Sequence, residues 1–305
     1  MKMDSMSTIS FPGLGFEIDP PQSFHLFGNI SINLYALAIA LGLVLAILYG
    51  YKRAKEFGHN FDDMVDGILF IVPLAIICTR LYYCIFNWEH YAANPIKILY
   101  IWEGGLAIYG GVIGAALGIL IYCKWKKVKI GAVVDITALG FLIGQTLGRW
   151  GNFFNREAFG TETESFLRMG LYKVVTENGD IVASTTMHYF HPTFLYESLW
   201  NLAGFVLLHF LSKKRQYDGQ IALGYLAWYG LGRTFIEGLR TDSLYLGPIR
   251  ISQILALVSM IVAVTVLLIN AFRSHDPAKL QVNITNARLA AEAAQASEDT
   301  EETAE

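Results

Sequence analysis

Charge is what this sequence has least of. Asp, Glu, Lys and Arg make up 16% of its 305 residues, where a soluble domain of this length would carry about a quarter. The shortage excludes an ordinary water-soluble globule. Apolar residues reach 54% and the mean hydropathy is +0.41. They come in long blocks separated by short polar stretches, the pattern of a chain that crosses a bilayer repeatedly. Cysteine is almost as rare. Cys78, Cys84 and Cys123 all sit inside apolar blocks with no CxxC pair. That speaks against a zinc site or a disulfide framework and for small buried hydrophobes. A small-residue cleavage pattern is also lacking after the first apolar block, which ends in Tyr51-Lys52-Arg53. The block therefore reads as a retained helix rather than a removed leader.

Blocks of about 20 apolar residues, the length of one crossing, occur near 31–50, 65–87, 104–123, 131–151, 193–212, 219–239 and 250–272. The fourth is interrupted by Asp135, Gln145 and Arg149, and the sixth holds Arg233 and Glu237. Loop charge is an independent check. Lys52, Arg53 and Lys55, then Lys124, Lys126, Lys127 and Lys129, then Lys213, Lys214 and Arg215, and finally Arg273 all fall on one side if every block crosses. That side is cytoplasmic by the positive-inside rule. The expectation is an all-α membrane protein, a bundle of seven transmembrane helices. Its N-terminus is outside and its C-terminus cytoplasmic. Residues 1–30 form an extracytoplasmic segment, 31–273 the membrane domain, with an extracytoplasmic head at about 152–192, and 274–305 a polar tail with a helical stretch near Ala287–Ala296.

Ionisable groups inside a bilayer cost about 2.5–3.5 kcal/mol each on insertion scales, so their placement needs a reason. Tyr35, Tyr109, Arg149, Arg233 and Glu237 all fall in the outer half of their blocks, and His191 immediately precedes the fifth. At the inner side Asp135 stands almost alone. Gln145, Arg149 and Asn152 are spaced i, i+4, i+7 and share a helix face, which must line protein or water. Arg233 and Glu237, at i and i+4, can pair, and the pair reads equally as a structural ion pair. Glycines repeat every four residues at Gly110, Gly114 and Gly118 and again at Gly140, Gly144 and Gly148. Such ribs let membrane helices approach closely. If the third and fourth blocks form a hairpin on these ribs, Tyr109 comes near Arg149. Arginine forks suit phosphate oxygens, so two at headgroup depth suggest an anionic lipid, or counter-ions in a transporter.

The stretch Gly148-Arg149-Trp150-Gly151-Asn152-Phe153-Phe154-Asn155-Arg156-Glu157-Ala158-Phe159-Gly160 resembles the signature GRxGNFxNxExxG of the bacterial prolipoprotein diacylglyceryl transferases, with all eight fixed positions present. Tyr35-Ala36-Leu37, Glu103 to Gly111, His191-Pro192-Thr193-Phe194-Leu195-Tyr196-Glu197 and Gly232-Arg233-Thr234-Phe235-Ile236-Glu237 are similar to further family stretches in the same order, and Thr79-Arg80-Leu81-Tyr82-Tyr83 is a softer match. The resemblance covers roughly 30–272. It implies transfer of a diacylglyceryl group from phosphatidylglycerol to the lipobox cysteine of a preprolipoprotein, the first step of lipoprotein maturation. Glycerol phosphate leaves. It implies no metal and no cofactor, a multi-pass protein of the bacterial cytoplasmic membrane with its site toward the outer side, and membrane lipids but no nucleic acid as partners. The chain is expected to act as a monomer.

The reaction needs a phosphate clamp, charge neutralisation and a base for a thiol of pKa about 8.5. Arg149 and Arg233 are candidates for the first two. Asn152 and Asn155 can donate hydrogen bonds to substrate oxygens, and Glu157 can orient Arg149 or take a proton. Gly160 reads as a turn former. Many family members carry histidine where this chain has Tyr109. A tyrosine, of pKa about 10, serves as base only if nearby arginines lower it, and otherwise orients the headgroup. His191 and Glu237 are alternative acceptors, although Pro192 after His191 also marks a helix start. Tyr35 reads equally as lipid-entry residue and interfacial aromatic. A transporter of an anionic lipid or metabolite would explain the arginines but not the signature, and no inverted repeat supports it. An intramembrane protease lacks its GxSG nucleophile or aspartate pair.

Overall fold

The computed structural model describes residues 7–25, 31–176, 181–241, 245–246 and 249–302. The expected segment 1–30 and the turn near 241–249 thus lie partly outside the described residues. Nine helices are seen among those described: α1 Leu34–Arg53, α2 Phe61–Phe86, α3 Trp88–Ala92, α4 Ile108–Lys126, α5 Ile130–Asn155, α6 Thr193–Ser212, α7 Gln220–Ile236, α8 Ile251–Ala271 and α9 Gln281–Glu302. Six of them, α1, α2, α4, α5, α6 and α8, are long and apolar enough to cross a membrane. The chain is a mostly helical, multi-pass membrane protein. The block expected at 219–239 holds α7, which at 17 residues is shorter than those six and carries Arg233.

The helix ends follow local chemistry. The Asn60 side chain accepts from the Asp63 backbone N–H at 2.6 Å and starts α2, with Asp62 and Asp63 in its first turn. Carboxylates there favour the positive end of the helix dipole. Lys52 and Arg53 close α1, and Lys124 and Lys126 close α4.

Two compact units make up the chain: Met1–Tyr49 with Thr137–Arg215 and Gln220–Ser274, and Gly50–Ile136 with Gln216–Gly219 and His275–Glu305. In the first unit α6 packs on α7 and α7 on α8. Sequence periodicity assigns no fold to residues 155–190. In the structure they supply β5 (Met169–Val175) and β6 (Ile181–Phe190) to a four-stranded antiparallel sheet. Its other strands come from the beginning of the chain, β1 (Ile9–Phe11) and β2 (Phe16–Ile18), in the order β2-β1-β5-β6. Ile9, Phe11, Met169, Leu171 and Phe190 from this sheet enclose Phe153 and Phe159 of the signature stretch and Phe194 of α6 in one buried core. Short ribbons complete the unit, β3 (Ser23–His25) with β4 (Ser31–Asn33) and β7 (Tyr245–Leu246) with β8 (Ile249–Arg250).

The second unit is built on α2 packed against α4. Here the first glycine rib finds its partner. A Cβ at Gly110 would lie 2.9 Å from the Thr79 Cα, one at Gly114 2.6 Å from the Cys78 Cβ, and one at Gly118 3.3 Å from the Ile71 Cα. All three neighbours are on α2. The second rib lies in the first unit and faces α1: a Cβ at Gly42 would come 3.2 Å from the Gly144 Cα, and one at Gly140 3.5 Å from the Ala46 Cβ. The expectation that the two ribs pack on each other is therefore corrected. Equal spacing shows that a helix can approach closely, not which helix it approaches.

Asp135 is likewise not alone. It is fully buried and accepts the Gly219 backbone N–H at 2.9 Å. The neighbouring Asp218 accepts the Gln281 backbone N–H at 2.8 Å, and Thr285 donates to the Gly58 carbonyl at 2.9 Å. Only the first turn of α9 is held this way; the remainder of its described side chains are exposed.

Candidate functional site

The polar stripe of α5 is the spine of the site. Gln145 donates to the Tyr225 hydroxyl of α7 at 3.0 Å, and Arg149 reaches Glu197 of α6 at 2.6 Å. Arg149 also donates to the Asn152 Oδ1 at 3.3 Å. The face expected to line protein does so within the first unit. Beyond Asn155 the chain turns back through Arg156 (φ 53°) and Ala158 (φ 55°), both left-handed. The Glu157 carboxylate thereby accepts from the Asn152 Nδ2 at 3.0 Å and the Asn155 Nδ2 at 3.3 Å.

Glu197 is the hub. Its side chain is 6% exposed and meets Arg149 at 2.6 Å, Arg233 at 3.1 Å and Arg240 at 3.2 Å. Arg233 also pairs with the fully buried Glu237 at 2.6 Å, so the expected i, i+4 pair forms. Three guanidiniums thus converge on two carboxylates. The α6–α7 register that allows this is held by a reciprocal tryptophan pair. Trp200 Nε1 donates to the Trp228 carbonyl at 3.0 Å, Trp228 Nε1 to the Trp200 carbonyl at 2.9 Å, and the rings stack at 4.4 Å. A Cβ at Gly232 would strike the Trp200 ring, and one at Gly204 the Trp228 ring, so both glycines are there for closeness.

Sequence reasoning assigned no role to Glu197 or Arg240. A signal for Glu197 exists: it is the sole Asp, Glu, Lys or Arg in the 20 residues of α6. Nothing comparable marks Arg240, which lies beyond the end of α7 and is brought in by the turn Glu237–Leu239.

Other candidates lie at the edge of this network. Tyr35 lies in the first turn of α1 and against the C-terminal end of α5, where a Cβ on Gly151 would come 2.5 Å from its ring. His191 precedes α6 and approaches the Tyr196 hydroxyl at 3.3 Å. Partial burial lowers its pKa from the ordinary histidine value, which favours the neutral imidazole. Gly160 does not have a positive φ, so the turn-forming role expected of it is corrected. Its Cβ would come 2.7 Å from the His191 Cβ and 3.0 Å from the Leu239 carbonyl; glycine is needed there for close approach. Its N–H donates to the His191 carbonyl at 2.9 Å. Tyr109 belongs to the second unit, in the first turn of α4, with 44% of its surface exposed. Because its glycine rib packs on α2, the packing argument that placed it beside Arg149 no longer applies. Among the described residues no three His, Cys, Asp or Glu converge so as to hold a metal ion.

Comparison with known proteins agrees with the signature. The family "Prolipoprotein diacylglyceryl transferase" matches residues 21–269. The chain is 42% identical over 248 residues to a Clostridium novyi (strain NT) protein named phosphatidylglycerol–prolipoprotein diacylglyceryl transferase, covering 81% of this chain and 95% of that one. Proteins of the same name from Limosilactobacillus reuteri (strain DSM 20016), 41% identical over 249 residues, and Bacillus cytotoxicus, 42% over 251, each match across 81% of this chain and 90% of their own length. The match takes in the α5 stripe, the signature turn and the arginine cluster around Glu197, and on that ground the chain belongs to the prolipoprotein diacylglyceryl transferase family.

Proposed function

We propose that this chain transfers the diacylglyceryl group of phosphatidylglycerol to the lipobox cysteine of a preprolipoprotein, the first step of lipoprotein maturation. The thiol loses its proton, sulfur attacks the glyceryl carbon, and the carbon–oxygen bond to phosphate breaks with its electron pair leaving on glycerol phosphate. A phosphodiester with one negative charge becomes a monoester with two, so the site must stabilise charge that develops in the transition state. The single observation that carries this reading is the convergence of Arg149, Arg233 and Arg240 on Glu197. A carboxylate hub holds mutually repelling guanidiniums side by side, with the forks of Arg149 and Arg233 placed to receive a phosphate.

In this reading Arg149 and Arg233 clamp the phosphate, and Glu237 aims Arg233. Asn152, Asn155 and Glu157 line the signature turn and order the clamp. Tyr35, His191 and Gly160 shape its rim. The thiol proton goes to Tyr109 or to the neutral imidazole of His191. The chain crosses the cytoplasmic membrane of a bacterium seven times, α7 included, with the N-terminus and the β1-β2-β5-β6 head outside and α9 in the cytoplasm, and it works as a monomer. Basic residues at the ends of α1, α4 and α6 support that orientation. The transporter alternative loses its ground once the family is known.

Purified protein, labelled phosphatidylglycerol and a lipobox peptide test the proposal. The expected result is a thioether-linked lipid on the peptide cysteine, abolished in Arg149→Ala and Arg233→Ala proteins that still insert. Normal turnover in both variants overturns the phosphate clamp.

A further inference from the structure

The signature turn is strained, and part of what holds it precedes the stretch that the family matches. Two non-glycine residues in the left-handed region, Arg156 and Ala158, flank Glu157. Such a backbone persists only where surrounding contacts over-determine it. Arg156 is 7% exposed and directs the Nε and Nη2 of its guanidinium at residues 7–20. Its Nε donates to the Ser7 carbonyl at 2.7 Å, and its Nη2 to the Asp19 Oδ1 at 2.8 Å and the Pro20 carbonyl at 2.9 Å. The Phe154 carbonyl takes Nη1 at 3.1 Å. Asp19 is itself fixed, since its other oxygen accepts from the Ser7 hydroxyl at 2.6 Å. Lys173 of β5 donates to the Arg156 carbonyl at 2.5 Å, holding the peptide from its other side. Residues 7–20, which carry β1 and β2, precede the family-matched region 21–269.

The consequence runs to the clamp. Glu157 can only accept, so it draws the Nδ2 end of Asn152 toward itself and turns the Oδ1 end to Arg149. We infer that the N-terminal hairpin is a positioning device for the reaction: Asp19 and Arg156 hold the left-handed turn that aims Glu157 at Asn152, and Asn152 in turn at Arg149. Asp19 and Arg156 are positioning residues that touch no substrate. The inference rests on the reading that Arg149 and the signature turn form the phosphate site.

The substitution series at Arg156 separates positioning from simple tethering. Arg156→Ala loses the clamp and keeps the strain, whereas Arg156→Gly loses the clamp but adopts positive φ freely. In the transfer assay Arg156→Ala and Asp19→Ala are expected to lower kcat about tenfold, with KM for phosphatidylglycerol nearly unchanged. Arg156→Gly should recover most of the loss, and Asp19→Ala added to it should cost nothing more. If glycine is as damaging as alanine, or if neither alanine variant slows turnover, the inference is overturned. Should Arg156→Ala fail to fold, hydrogen exchange in Asp19→Asn replaces it. Faster exchange at the Arg156 and Glu157 amides supports the device, and unchanged exchange overturns it. Arg149→Ala distinguishes the two levels. A fully active Arg149→Ala removes the site reading and the inference together, while an impaired one beside a flat Arg156 series removes the inference alone.

Discussion

Arg80 and Arg149 are both guanidiniums in helices of membrane-spanning length, and from the sequence they look alike. The structure treats them in opposite ways. Arg80, in the second unit, is 4% exposed, and its donors end on neutral carbonyls: Ile98 at 2.9 Å, Gly104 at 2.6 Å, Gly105 at 3.0 Å, Lys97 at 2.6 Å and Tyr100 at 3.2 Å. Tyr91 lies against its face at 5.2 Å. That collar folds the segment between α3 and α4 and occupies Nε, Nη1 and Nη2 of the guanidinium with carbonyls. Arg149, in the first unit, meets a carboxylate that it shares with two other arginines, and 22% of its side chain remains exposed. A buried arginine in lipid is therefore not functional because it is there. The partners separate the two: a full set of carbonyls braces Arg80, whereas a shared carboxylate with exposure left over is what makes Arg149 the candidate for the proposed phosphate clamp.

The sharpest way to break this comparison is to replace both arginines by methionine. Arg149→Met should lower transfer by about a thousandfold or more, the scale of lost transition-state donors, while its melting temperature in lipid nanodiscs stays near that of the wild type, because one of three mutually repelling cations is gone. Arg80→Met should do the reverse. Leaving buried carbonyls unmatched costs about 3 kcal/mol, read as a lower melting temperature, with turnover per folded molecule largely retained. An Arg80→Met protein that melts normally would end the distinction. The glycine ribs extend the contrast between units. Gly110→Ala should destabilise by about 1–3 kcal/mol through collision with α2, whereas Gly144→Ala, whose Cβ meets nothing within 4 Å, should be neutral or gain up to about 1 kcal/mol of helix propensity. Denaturant titration of the two variants decides it. Tyr109 is the second unit's one candidate for the chemistry. Tyr109→Phe is expected to lower kcat about tenfold, and full activity would confine the reaction's side chains to the first unit. The smallest effect concerns His191. Burial lowers its folded pKa, so the unfolded chain takes up the proton first. Its contribution to stability is complete above about pH 6.5 and is lost as pH falls through that value toward the folded pKa. Melting temperatures between neutral and mildly acidic pH should drop, and drop less in His191→Asn.

Much of the molecule is legible in the sequence alone. Six of the seven expected spans fall within a few residues of helices long and apolar enough to cross a membrane, because hydrophobic length is a property of one segment at a time. The stripe Gln145, Arg149, Asn152 was legible because helix periodicity puts those side chains on one face whatever surrounds them. The pair Arg233–Glu237 followed from the same spacing. Other features were not legible. Glycine ribs announce close approach without naming the partner, and each of these two chose a helix other than the one expected. The role of Gly160 was read as conformational when it is steric, since a missing Cβ has the same letter in both cases.

The amino-acid order by itself determined a multi-spanning membrane protein, the turn and stripe that carry the family's signature, and the short supply of charge that makes every buried ion informative. Tertiary structure alone decided that Glu197 joins Arg149, Arg233 and Arg240, that Arg80 is a brace, and that a hairpin from residues 9–18 completes a sheet begun at residue 169. The reason is physical. Insertion and periodicity act within a helix, but which guanidinium finds which carboxylate depends on how helices far apart in sequence rotate and pack, and a bilayer, apolar in every direction, sets no rotation until polar groups have found each other.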